Sequence, residues 1–149
     1  MKPFDPRSVI FAKHAQHVVL VHFPIALCLV AVMFDFLAQW RKSRALAEVA
    51  YYNLLVAAIA TVPVLATGLL AWHFQLEGQR LKGTLLLHLI LGTLSACMIW
   101  LVWSFHFRAH RDPERKLSAL RIPVELAAVA VVSLTAHLGG FLSGVNGGG

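Results

Sequence analysis

Charge is scarce in this chain of 149 residues: 7 Asp+Glu and 13 Lys+Arg make up 13% of it, about half the share of a soluble domain. Cysteine is nearly absent. Cys28 and Cys97 are the only two, both inside apolar stretches, so a disulfide scaffold is excluded and packing roles are expected. No Cys-x-x-Cys-His occurs, which excludes covalent c-type haem, and neither cysteine has a metal-site spacing. No phosphate loop, metalloprotease pattern or nucleophile beside a base is found, so an independent hydrolase or transferase is not expected.

What the chain has instead is apolar length. Hydrophobic residues make up 58% of it, and the mean hydropathy is +0.71. Four stretches are each about 20 residues long, enough to cross a bilayer as helices: Val18 to Gln39, Ala50 to Phe74, Thr84 to Phe105 and Ile122 to Leu142. Backbone in hydrocarbon must satisfy its own hydrogen bonds, so each is read as a helix. The first is too long for the apolar core of a cleavable signal peptide. Most connections are short, which favours antiparallel neighbours. The expected fold is all-α, a single-domain integral membrane four-helix bundle running up and down.

Orientation follows from positive charge in the connections. The first-to-second and third-to-fourth connections carry eight Lys and Arg, against five in the N-terminal segment and the second-to-third loop. Both termini are therefore expected outside. With so much of the basic charge assigned to topology and anionic lipid, nucleic acid is not expected as a partner. Pro24 and Pro63 fall inside spans and free the carbonyls of Leu20 and Ile59, whereas Pro123 lies in a first helical turn, where it is tolerated.

Eight histidines are many for such a chain. His22 and His88 lie early in the first and third spans, His137 late in the fourth, and His73 at the end of the second. With alternating helix direction all four reach the outer face, and the first three share a depth of roughly 6–8 Å at 1.5 Å per residue. His22 and His73 bracket the first hairpin as His88 and His137 bracket the second, which suggests a pseudo-two-fold axis along the membrane normal. Ionisable groups in spans are functional by default. A ring of neutral imidazoles suits haem iron, Zn or Cu, or a proton relay. Small residues around His88 (Gly92, Ser95, Ala96) and His137 (Ala130, Ser133, Gly140) leave room for a flat porphyrin. Arg80, Lys82 and Lys13 lie at the same face to meet propionates.

Each feature has a plainer reading. Small-residue stripes are how membrane helices approach one another. A histidine at a span end, such as His73 beside Trp72, serves as an interfacial anchor. His14 and His17 are expected before the first helix at the interface, and His106 and His110, among arginines, on solvated surface. Asp35 is deep enough to need a partner, an arginine or a backbone group, and Glu125 suits the first turn of the fourth helix.

The segment His17-Val-Val-Leu-Val-His22-Phe-Pro-Ile-Ala-Leu27, with Asp35 downstream, resembles the opening of a bacterial family of predicted four-span membrane proteins of unknown function. Thr67-Gly68-Leu69-Leu70, His88 and His137-Leu-Gly-Gly140 are similar to later pieces of the same family. Family members resemble membrane anchors of redox systems, some fused to Rieske-type iron–sulfur domains. The resemblance implies His22, His88 and His137 as shared functional histidines. Val18, Ala71 and Asn146 depart from the pattern, standing where the family has Pro, often Asp, and usually His.

The expectation drawn from the histidines is a non-catalytic, b-type haem electron-transfer subunit of a bacterial inner-membrane redox complex. Two of His22, His88 and His137 would be axial ligands, with His73 as a further cofactor-binding residue. The rivals are a cofactor-free assembly subunit packed against larger membrane partners and lipid, and a quinone- or metal-handling protein using the same histidines with Arg80 or Lys82.

Overall fold

The computed structural model describes residues 13–75, 78, 80–112 and 120–143. Four helices account for nearly all of them: α1 (Lys13–Arg41), α2 (Arg44–Gln75), α3 (Gly83–Arg111) and α4 (Arg121–Leu142). Each is long and apolar enough to cross a membrane. Large apolar side chains such as Val19, Phe36, Val62, Leu101 and Leu134 cover the outside of the bundle, the pattern of helices whose outer faces meet lipid. The chain is an all-α multi-pass membrane protein, as its composition implies.

The helices outrun the apolar stretches because a helix need not stop where hydrocarbon stops. α3 continues past Phe105 to Arg111, and α2 begins at Arg44 rather than Ala50. The first connection is correspondingly tight. Ser43 N–H donates to the Ala38 carbonyl at 2.9 Å, Lys42 takes φ 49°, and the Ser43 hydroxyl accepts from Leu46 N–H at 3.4 Å. This closes α1 with a left-handed residue and caps α2 with the next.

Cross-helix bonds fix the directions. The start of α1 meets the end of α2 through His17 and Val64, α2 meets α3 through Thr61 and Trp100, and α3 meets α4 through Ser95 and Thr135. Asp35 near the end of α1 meets Arg121 at the start of α4. The helices thus form an antiparallel ring in chain order, with α1 and α3 diagonal. One end, the terminal end, carries the start of α1 and the end of α4. The other, the loop end, carries the α1–α2 and α3–α4 connections.

Burial is uneven along the bundle axis. In the loop-end half, two small apolar clusters stack: Ala31, Leu54, Val102 and Ala128, then Cys28, Ala57, Ala58, Ile99 and Val132. In the terminal-end half, Pro24, Thr61, Ser95 and Ala96 are buried near the middle of the bundle, and beyond that level Ala71 alone is buried among the described residues. There the two hairpins share no packed core.

Both hairpins use one packing register. Pro24, Cys28, Ala31 and Asp35 of α1 are buried, and so are the residues 71 positions later on α3, Ser95, Ile99, Val102 and His106. Likewise Ala50, Leu54, Ala57 and Thr61 of α2 correspond to buried Arg121, Glu125, Ala128 and Val132 of α4. Only Ala96 among the buried described residues of the second hairpin lacks a buried counterpart. The bundle therefore has an internal two-fold repeat about its long axis.

Candidate functional site

The repeat decides where the histidines go. His17 and His88 occupy equivalent positions 71 residues apart, and at about 100° per residue they fall about 20° from the line of the core-facing Pro24 and Ser95. Each is half-buried and sits on a glycine of the next helix. A Cβ on Gly68 would lie 3.0 Å from Cε1 of His17, and one on Gly139 would lie 3.2 Å from Cε1 of His88. Gly68 and Gly139 are themselves 71 residues apart, so the histidine-on-glycine seat is duplicated. In the first hairpin the imidazole is also anchored. His17 Nδ1 lies 3.1 Å from the Val64 carbonyl and 3.2 Å from Thr67 Oγ1. In the second, His88 Nδ1 is buried without a hydrogen-bond partner.

His22, His73 and His137 fall elsewhere. They stand about 140–160° round their helices from the core-facing lines, and all three are exposed. His22 Nδ1 bonds the Val18 carbonyl of its own helix at 2.6 Å. His73 and His137 meet Phe74 and Phe141 edge-on at 4.8 and 4.9 Å. Among the described residues, the four expected ring histidines bring no three donor atoms within 4.8 Å of one another. A common depth therefore did not imply a common face. His17, expected as an interfacial residue ahead of α1, lies inside it and reaches across to α2. The side chains of Lys13 and His14, and position Asn146, lie outside the described residues; Arg80 and Lys82 are exposed.

The loop end holds a second polar group, and here the expectation for His106 is corrected. It is 4% exposed rather than solvated, because α3 runs on past Phe105 and its register carries position 106 onto the core face beneath Val102. His106 Nε2 lies 2.8 Å from Glu125 Oε1. Arg121 Nε lies 3.1 Å from Asp35 Oδ2 and 3.6 Å from Glu125 Oε1. Gln39 Nε2 donates to Asp35 Oδ2 at 2.9 Å. Asp35 thus has the arginine partner its depth demanded. Glu125, at 0% exposure, answers to far more than a helix dipole. Three atoms of the group are buried without a hydrogen bond: Glu125 Oε2, Arg121 Nη1 and Arg121 Nε, the last meeting the carboxylates at ion-pair distance only. The donor atoms of Asp35, His106 and Glu125 lie within 4.8 Å of one another, but the guanidinium among them already supplies positive charge. The one sequence signal for this group was the 3.6-residue spacing of position 106 from Val102, Ile99 and Ser95.

The family model described as "Predicted membrane protein (DUF2231)" matches residues 13–149, and the chain belongs to that family. No curated protein and no solved structure matches the chain significantly.

Proposed function

We propose that the chain is a non-catalytic anchor and electron-transfer subunit of a bacterial inner-membrane redox complex. In this reading it holds one b-type haem in the terminal-end half, with His17 and His88 as the axial pair. The observation that carries the reading is the duplicated histidine seat. Two imidazoles stand at equivalent positions on diagonal helices, each on a glycine, beyond the level of Pro24 and Ser95, where the described residues form no core shared by the hairpins. His17 Nδ1–H donates to the Val64 carbonyl, which fixes the tautomer with Nε2 as the basic nitrogen, the usual way a ligating histidine is oriented. A porphyrin between the hairpins would supply the packing that half lacks, and the iron would supply one-electron chemistry. The excess of Lys and Arg at the loop end supports placing that end in the cytoplasm and the haem toward the outer face. The outward-facing His22 and His137 then meet the partner subunits.

The test is a dithionite-reduced minus oxidised visible spectrum of the detergent-purified chain, followed by pyridine haemochromogen. The expected result is a b-type α-band at one haem per chain. His17→Ala and His88→Ala should abolish it, while His22→Ala and His137→Ala should retain it. A flat spectrum from folded protein extracted with its native partners would overturn the proposal and leave a cofactor-free assembly subunit.

A further inference from the structure

The group at the loop end stands apart from the histidine seats and calls for its own account. Asp35 and Glu125 bring two negative charges and Arg121 one positive, so with neutral imidazole the group carries a net charge of −1. All four side chains are within 5% of full burial, and an uncompensated charge in such a place is strongly disfavoured. One proton removes the imbalance. With Asp35 paired to Arg121, a proton shared between His106 and Glu125 makes the sum zero, either as imidazolium beside carboxylate or as imidazole beside carboxylic acid. A divalent ion would instead leave the group at +1.

We propose that His106 and Glu125 form a proton-loading site, filled and emptied with a single proton from the loop end through His110. His110 lies one turn beyond His106 on the same face of α3, about 6 Å along the axis. It is exposed, and its ring is stacked on Tyr51 of α2 at 4.3 Å and 5°, which holds it at the mouth of the site. A water molecule between the two rings would carry the proton across. The proton passes from bulk water to His110, then to His106, whose imidazolium is held by the Glu125 carboxylate; release retraces the path, and no electron moves. Toward the terminal end the site is closed by the two apolar layers built around Leu54 and Val102 and around Cys28, Ile99 and Val132. The site therefore loads from one side only.

The groups that face it are Asp35, Gln39 and Cys28 from α1, His106 from α3, and Arg121 from α4. α2 faces it with Ala50 and Leu54, its Arg44 and Glu48 being exposed.

Infrared difference spectra of the full-length protein in lipid, recorded between acidic and alkaline pH, test the proposal. The difference between wild type and Glu125→Gln, which cancels the exposed histidines common to both, should show a reversible change of histidine and carboxyl bands equivalent to one proton. His110→Ala changes only an exposed residue. It should leave the Glu125-dependent amplitude intact and slow its response to a pH jump at least threefold. The proposal is overturned if wild type and Glu125→Gln show the same change with pH, which makes the group a permanent ion network. It is also overturned if His110→Ala responds as fast as wild type, or if a stoichiometric divalent metal co-purifies and is lost in Glu125→Gln.

Discussion

Removing Arg121 should harm the fold far more than removing either acid it serves. Its Nε lies 3.1 Å from Asp35 and 3.6 Å from Glu125. At an effective dielectric of about 20 each attraction is about 5 kcal/mol before desolvation is subtracted. Arg121→Met leaves two buried carboxylates facing one imidazole and should cost about 3–5 kcal/mol, as for other broken buried pairs. Asp35→Asn deletes one carboxylate and leaves the guanidinium balanced by Glu125, so the loss should be that of one charge-assisted hydrogen bond, about 1.5–3 kcal/mol. Glu125→Gln should behave alike, because Asp35 still pairs with Arg121. The double variant strips the guanidinium of both counter-charges. Its loss should exceed the sum of the singles by about 0.5–3 kcal/mol, the coupling expected within one network. Arg121→Lys keeps the charge without the planar fork and should fall between wild type and Arg121→Met. Unfolding by SDS in mixed micelles, followed by far-UV circular dichroism, supplies all five values. An Arg121→Met variant no less stable than Asp35→Asn, or a strictly additive double variant, would refute the charge-balance reasoning.

Three further experiments probe other parts of the bundle. Gly139→Ala places a Cβ 3.2 Å from His88 Cε1, so the ring must shift; a bound haem should be lost or show a displaced α-band, with unchanged helicity by circular dichroism. Lys42→Gly relieves a left-handed residue at φ 49° and should stabilise the α1–α2 hairpin by about 0.5–1 kcal/mol, read by the same SDS titration. A double-mutant cycle on Ser95→Ala and Thr135→Val, which removes the 2.9 Å hydroxyl contact between α3 and α4, should give a coupling of about 0.6 kcal/mol, typical of interhelical hydrogen bonds in membranes.

The fold was legible because lipid imposes a strong rule on sequence: four apolar runs of spanning length admit little besides four helices. Depth was legible too, since it follows from counting along a helix. The face was not. Taking His22, His88 and His137 as one ring relied on depth, and the missing quantity was the angle each makes with its helix's core-facing line. In a soluble helix the polar face reveals that line. Here both faces are apolar, so a helix such as α2, from Tyr51 to Ala71, gives no periodic contrast to read. The small residues were the better guide: Ala31, Ala57, Ala58, Ala96 and Ala128 line the packed faces, and Gly68 and Gly139 mark the histidine seats. The α3 boundary misled for a related reason. Arginines after Phe105 signal the edge of hydrocarbon, and a membrane edge is not a helix end.

The internal repeat explains why one end of the bundle is symmetric and the other is not. At the terminal end both hairpins keep the same pair, a histidine on a glycine, at the same register. At the loop end the equivalents have diverged: Asp35 faces the role of His106, Ala50 that of Arg121, and Leu54 that of Glu125. Packing tolerates such divergence because each exchange preserves burial, while charge does not. Once Arg121 and Glu125 occupied the second hairpin, a single acid at Asp35 of the first was enough to tie the two together across the thin α1–α4 seam. A perfect repeat would place a second Arg–Glu pair at positions 50 and 54, bringing two more charged groups into the space that Ala50 and Leu54 now fill without any hydrogen-bonding demand. The asymmetry thus concentrates the ionic chemistry on one side of the axis, against α3 and α4, and leaves α2 as its apolar wall. It follows that exchanging Leu54 for Gln should disturb the loop-end group while leaving the terminal-end histidines unmoved. The converse should hold for Gly68→Val, whose Cβ would lie 3.0 Å from His17 Cε1.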